Sequence, residues 1–112
     1  MSASAERWRT SAKSRGDYAR ERRTALVVLL SERQCLIDET DTTRAFCAAC
    51  GESHPFAELE VDHLDGRDYD ARKLSTWRRA AKYWREHEAG VRLRAVCRGC
   101  NAKDGGHRRW RK

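Results

Sequence analysis

The stretch VRLRAVCRGCN, residues 91–101, is where the reading of the fold turns. Residues 91–96 alternate apolar and charged side chains with the period of two expected of a strand with one face buried, and Arg92 and Arg94 fall on the same side. The strand runs directly into Cys97-x2-Cys100, and Asn101 follows the second thiol without a spacer. A segment that ends on two thiols and an amide calls for a complementary pair elsewhere. CAAC supplies it at residues 47–50, followed by Gly51, while Gly99 sits inside the second pair, and glycine permits the tight turn such a knuckle needs.

Two Cys-x2-Cys pairs from distant parts of a chain can complete a tetrahedral site of four thiolates, so Cys47, Cys50, Cys97 and Cys100 are expected to hold a structural zinc ion. The 46 residues between the pairs exceed the spacing of compact zinc ribbons, so an insertion must lie inside the clasp. Disulfides compete with this reading but are disfavoured where no secretory leader is apparent. The fifth cysteine, Cys35, lies beside Leu36 and Ile37 and is expected to pack as a small apolar residue.

Upstream of the insertion, LEVD at residues 59–62 reads as a short strand that ends on an acid, Asp62, beside the imidazole of His63. In isolation an Asp-His pair fits a turn in which the acid caps the backbone and the imidazole faces water. Residues 17–33 have helical spacing through Tyr18, Arg22, Ala25, Leu26, Leu29 and Leu30, and residues 38–43 read as a polar connector. A second helix is expected over 74–88, with Leu74, Trp77, Ala81, Trp84 and Glu88 along a core-facing stripe and Gly90 as its stop. A short last helix is expected from Asn101, and residues 1–14 are expected to be frayed or weakly helical.

Composition bounds the function. The chain has 112 residues, 39% of them apolar and 37% charged, which allows one domain with a thin core that benefits from a metal staple. A net charge of +7 favours a polyanionic partner, most often nucleic acid. The charge is segregated: residues 52–70 carry seven acids against Arg67 alone, whereas residues 92–112 carry eight cations against Asp104. An acidic block between basic ones is odd for a plain phosphate-binding surface and suits carboxylates that face a metal. The longest apolar run, ALVVLL at 25–30, is too short to span a bilayer, so a soluble cytoplasmic protein with no membrane partner is expected.

The order Cys47-x2-Cys50, Val61-Asp62-His63, Cys97-x2-Cys100-Asn101 resembles the HNH endonucleases with a ββα-metal core, in the variant whose last motif residue is Asn. Phage recombination endonucleases have a similar layout and phage HNH nicking enzymes look similar; the resemblance covers roughly residues 45–105. The resemblance implies an α+β fold: a small ββα-metal core in residues 45–112, clasped by the four-cysteine zinc site, with a helical insertion at about 71–90 and a basic tail. Residues 1–44 form a basic N-terminal helical extension in this division.

The resemblance also implies a metal-dependent DNA endonuclease leaving 5′-phosphate and 3′-hydroxyl ends. His63 would act as general base, since an imidazole exchanges protons near neutral pH. Asp62 and Asn101 would hold Mg2+ or Mn2+ through hard oxygen atoms. His107 is an optional further ligand, although DGG at 104–106 argues that the helix ends first and leaves His107 to DNA or solvent. Arg92, Arg94, Arg98, Lys103, Arg108, Arg109 and Arg111 are expected to contact DNA phosphates, and Trp110 to stack on an unpaired base or cap the core. Asn101 is the only asparagine, so the middle residue of the H-N-H signature has no direct match, and Asp65, Asp68 and His87 are the candidates for its role. A homodimer is compatible with the basic helix, and a phage-infected or bacterial cytoplasm with the resemblance. The competing reading is a catalytically inactive, zinc-stabilised module that binds nucleic acid; it leaves Asp62, His63 and Asn101 together unexplained.

Overall fold

A computed structural model describes residues 14–102 as a small α+β arrangement of helices and two small antiparallel sheets. Helix α1 (Arg15–Arg33) starts where Ser14 and Asp17 cap one another: the Ser14 hydroxyl accepts from the Asp17 amide at 3.1 Å, and the Asp17 carboxylate accepts from the Ser14 amide at 3.2 Å. Hydrogen bonding from Ser14 to the carboxylate, its backbone amide first, lowers the Asp17 pKa. Leu26, Val27 and Leu30 on one side of α1 are buried in the same cluster as Leu59, Val61, Tyr83, Leu93 and Val96. The helix assigned by sequence to a 1–44 extension thus contributes to the core that the strands build. Each fully buried Leu or Val here is worth about 1.5–3 kcal/mol of apolar burial.

After α1 the chain forms a hairpin. Strand β1 (Arg44–Phe46) pairs antiparallel with β2 (Ser53–Pro55), Ala45 opposite His54, and the first cysteine knuckle occupies the loop between them. The polar connector expected at 38–43 is tied to this hairpin by Asp38, which accepts from the Ser53 hydroxyl at 2.6 Å and the Thr40 hydroxyl at 2.7 Å. Those bonds, led by that of Ser53, lower the Asp38 pKa. A 3-10 turn (Phe56–Glu58) then leads into β3 (Leu59–His63).

Strand β3 pairs antiparallel with β4 (Leu93–Cys97), in a register that sets Leu59 opposite Cys97, Val61 opposite Ala95 and Asp62 opposite Arg94. Between them run a second 3-10 turn (Ala71–Lys73) and helix α2 (Thr76–Glu88), capped by Ser75, whose hydroxyl accepts from the Arg78 amide at 3.2 Å. Helix α2 lies on α1, joined by a hydrogen bond from the Trp84 indole to the Arg22 carbonyl at 2.7 Å.

Four details differ from the sequence reading. The buried residues of α2 are Ala80 and Tyr83. Of the expected stripe Leu74, Trp77, Ala81, Trp84 and Glu88, Trp84 packs half-buried against the core, Leu74, Trp77 and Ala81 are half-buried and Glu88 is exposed. A stripe drawn through the tryptophans is displaced by about one residue because the core beneath α2 wants a ring that reaches His63. Strand β4 begins at Leu93, leaving Arg92 outside the ladder and exposed. The last helical turn begins at Arg98 instead of Asn101, so Gly99 is helical, and of the two knuckle glycines only Gly51, at φ 80°, uses the left-handed region. Cys35 is exposed, not packed. Residues 1–13 and the tail, with Lys103, His107, Arg108, Arg109, Trp110 and Arg111, lie outside the described residues.

Candidate functional site

The four cysteines of the two knuckles converge, with their sulfurs all within 4.8 Å of one another. Cys50 Sγ and Cys97 Sγ are 3.9 Å apart. Four sulfurs bound at about 2.3 Å to one tetrahedral ion stand about 3.8 Å from each other, so the donor set and its spacing fit a zinc-type ion. The cluster can hold a structural metal such as zinc. Backbone amides prepare it: Cys47 Sγ accepts from the amides of Cys97 at 3.2 Å, Ala49 at 3.3 Å and Cys50 at 3.4 Å. Burial pushes the Cys47 thiol up, but those amides outweigh it and bring its pKa to about 6. Cys100 is pushed up to about 12, first by its hydrogen bond with Cys97 and then by burial. One sulfur is thus ready to ionise and another resists, and a bound dication removes the conflict by favouring thiolate at both. Cys50 also lies with Glu52 and His54 in a second donor group, which shares its only thiol with the first.

Beside the knuckle, the alternation of β3 puts Glu60 and Asp62 on one face and Leu59, Val61 and His63 on the other. The Cys100–Asn101 step brings Asn101 onto the acidic face, where its amide donates to Glu60 Oε1 at 2.6 Å. Asp62, only 4% exposed, accepts from Arg94 Nε at 2.9 Å, the residue opposite it in register. Arg98 Nε reaches Glu60 at 3.3 Å, and Arg92 engages Asp65 through Nε at 3.0 Å and Nη2 at 2.5 Å. The three described arginines expected on DNA phosphates are therefore ion-paired with acids of the β3 region. Asp62 and Asn101 come to the same strand face, through Glu60, which sequence reasoning did not single out.

His63 faces the other way. It is 2% exposed, lies edge-on to Tyr83 with ring centres 5.1 Å apart, and places Nε2 2.9 Å from Glu86 Oε1. Tyr69 donates its hydroxyl to the same oxygen at 2.8 Å. Burial pushes the Glu86 carboxyl up, but the hydrogen bonds from His63 and Tyr69 outweigh it and leave the pKa below its ordinary 4.5. Burial and the Glu86 bond push the Tyr69 phenol well above its usual range. An ionised carboxylate only accepts, so the proton of a neutral His63 ring sits on Nε2. Nδ1, buried and without a protein partner, then carries the lone pair. The residue that holds the His63 ring is Glu86, which sequence reasoning did not single out. It was not legible locally because the pairing spans 23 residues and closes only when α2 packs on β3.

No protein-family model matches the chain, no curated protein matches its sequence and no solved structure matches its fold. Among the described residues no helix is long and apolar enough to cross a membrane.

Proposed function

We propose that the chain is a metal-dependent DNA endonuclease of HNH type, with β3, β4 and the helical turn that starts within the second knuckle forming a ββα-metal core. One observation carries this reading: the knuckle that can hold zinc delivers Asn101 to the strand face bearing Asp62, one residue from a buried imidazole oriented by a carboxylate. A module that only binds DNA has no use for that conjunction.

The residues divide the work as follows. Asp62 and the side-chain oxygen of Asn101 are hard donors suited to Mg2+ or Mn2+, and carboxylate oxygens accept more than one bond, so the Arg94 contact does not by itself bar a cation. The ion, when bound, stabilises charge on the scissile phosphate and the departing oxygen. Glu60 fixes the Asn101 amide, which turns the amide oxygen away from it. Glu86 holds Nε2–H of His63, leaving Nδ1 as the atom that would take a proton from water. Nδ1 is buried on the face of β3 opposite Asp62, so this role requires the ring to turn toward the Asp62 face. Arg94 and Arg98, beside Asp62 and Glu60, would be the cations nearest a phosphate brought to this face.

A second reading, the zinc-stabilised nucleic-acid-binding module without catalysis, is favoured by the ion pairs on Asp62 and Glu60 and by the depth of His63. Supercoiled plasmid separates the two. Incubation with Mg2+ or Mn2+ should give open-circle or linear DNA, absent without added divalent metal and absent in His63→Ala at unchanged zinc content and DNA affinity. Plasmid left intact in every metal, while the protein still retards DNA in a gel, would establish the module instead.

A further inference from the structure

A cavity of about 140 Å3 lies between α1, the start of β3, the Ala71–Lys73 turn and α2. Four guanidinium groups line it, those of Arg23, Arg67, Arg72 and Arg79, together with Glu60 and Asn101. The charge in its wall is therefore strongly positive, although Glu60 and Arg67 come from the acidic block 52–70; the other three arginines come from α1 and from the segment after residue 70. Two of these arginines lack a partner at one position: Nε of Arg67 and Nε of Arg23 are buried with no hydrogen-bond acceptor among the described residues. Arg67 as a whole is only 9% exposed, and its guanidinium lies 5.7 Å from the centre of the Tyr69 ring, a contact that supplies no oxygen acceptor to its buried Nε. Arg79 is held in place by the carbonyls of Ala71 at 3.1 Å and Leu74 at 3.4 Å, and Arg72 by Asp70.

Burying guanidinium N–H groups without acceptors is costly, and folding tolerates it where a ligand completes the bonding. The missing partner must be anionic, compact and rich in acceptor oxygens. The planar fork of arginine matches the oxygens of phosphate in that role. Glu60 and Asn101 belong both to this cavity and to the acidic strand face, so the cavity opens beside the proposed cleavage site.

We propose that this cavity binds a phosphate group, presented by a nucleic-acid strand that passes the Asp62 face. The assignment of the strand rests on the nuclease reading, whereas capture of the anion does not. Arg67 and Arg23 are the binding residues, Arg79 is their positioning neighbour, and Arg72 guards the exposed rim.

The test is calorimetric titration of the full zinc-loaded chain with inorganic phosphate, without added divalent metal, followed by competition with a short oligonucleotide. Arg67→Gln and Arg23→Gln should each weaken phosphate binding about tenfold or more, the loss of one charge-assisted contact. Zinc content and far-UV circular dichroism report whether each variant folds; if Arg67→Gln does not, Arg23→Gln and the exposed Arg72→Gln carry the comparison. Absence of phosphate binding in the wild type, or equal binding in folded variants, overturns the proposal. Phosphate binding that the oligonucleotide does not displace overturns the strand and leaves free phosphate as the ligand. Plasmid cleavage is read separately, so phosphate binding lost in the variants of a protein that never cuts would sink the nuclease reading and not the cavity.

Discussion

At the exit of α1, Cys35 adopts φ 58°, the left-handed conformation that glycine usually supplies. Its amide donates to the Glu32 carbonyl at 3.2 Å and the next amide, of Leu36, to the Ser31 carbonyl at 2.8 Å, the two bonds of a Schellman ending. A side chain there costs about 1 kcal/mol or more, so Cys35→Gly is expected to gain up to about 1 kcal/mol in denaturant unfolding after glycine's own entropy cost. The thiol is exposed and outside the knuckles, so zinc content should not change. The apolar reading of Cys35 failed because its neighbours Leu36 and Ile37 suggested burial, while a helix ending is set by backbone torsion that no local pattern advertised.

Glu86 makes the second prediction at this scale. Its folded pKa lies below its unfolded value near 4.5, so its hydrogen bonds to His63 and Tyr69 stabilise the fold above that pH and are lost as pH falls through the lower, folded value. Glu86→Gln cannot titrate. Its stability should therefore fall less steeply than that of the wild type below about pH 4.5, measured as unfolding midpoint against pH. If the chain is the proposed nuclease, the same variant should lower cleavage with little effect on DNA affinity, since Glu86 contacts His63 and Tyr69 and would act through the imidazole. Unchanged cleavage would remove Glu86 from the positioning role.

Among the elements, α2 carries most of what the sequence could not tell. Its ends were legible: Ser75 caps it, and Gly90, at φ 89°, lies just beyond its end. Its face was not, because alternate readings of an aromatic-rich helix differ by one residue and only the partner surface decides between them. Trp84 shows the result: half-buried against the core, with its indole on the Arg22 carbonyl, it fastens α2 to α1. Trp84→Phe removes that bond but keeps most of the apolar contact and should cost about 1 kcal/mol, while Trp84→Ala should cost about 3 kcal/mol. Equal losses in chemical denaturation would show that the hydrogen bond, not the ring, makes the joint. The β3–β4 pair was the most legible element, since period-two alternation fixes both strands. The β1–β2 hairpin was missed because its three-residue strands are too short to show a period.

On the scale of the whole molecule, spacing between cysteines predicted a contact between residues 47–50 and 97–100 that the structure makes. What spacing could not predict is how far the knuckles reach: through Asn101 into the acidic face, and through Cys47, buried in the core, into the packing of α1. Metal removal should therefore unfold more than a loop. An apparent binding energy of about 10–16 kcal/mol for a structural zinc site exceeds or matches the net stability of a small domain. Cys47→Ser and Cys97→Ser are expected to lose zinc by elemental analysis and to lose cooperative thermal unfolding. A zinc-free variant that still melted cooperatively would show that the apolar core suffices.

The sulfurs also settle where this chain can grow. Everything from Gly51 to Val96 is a loop closed at its base by the knuckles, and the 3-10 turn and α2 lie inside it. Lengthening such a loop costs little, about 0.6 kcal/mol for each doubling of its length, because closure entropy rises only with the logarithm of the number of residues. Chains sharing this clasp could carry insertions of very different length between β3 and β4 while their strand face stayed in register. Variation in this segment would then alter the surface offered to a substrate without disturbing the chemistry beneath it.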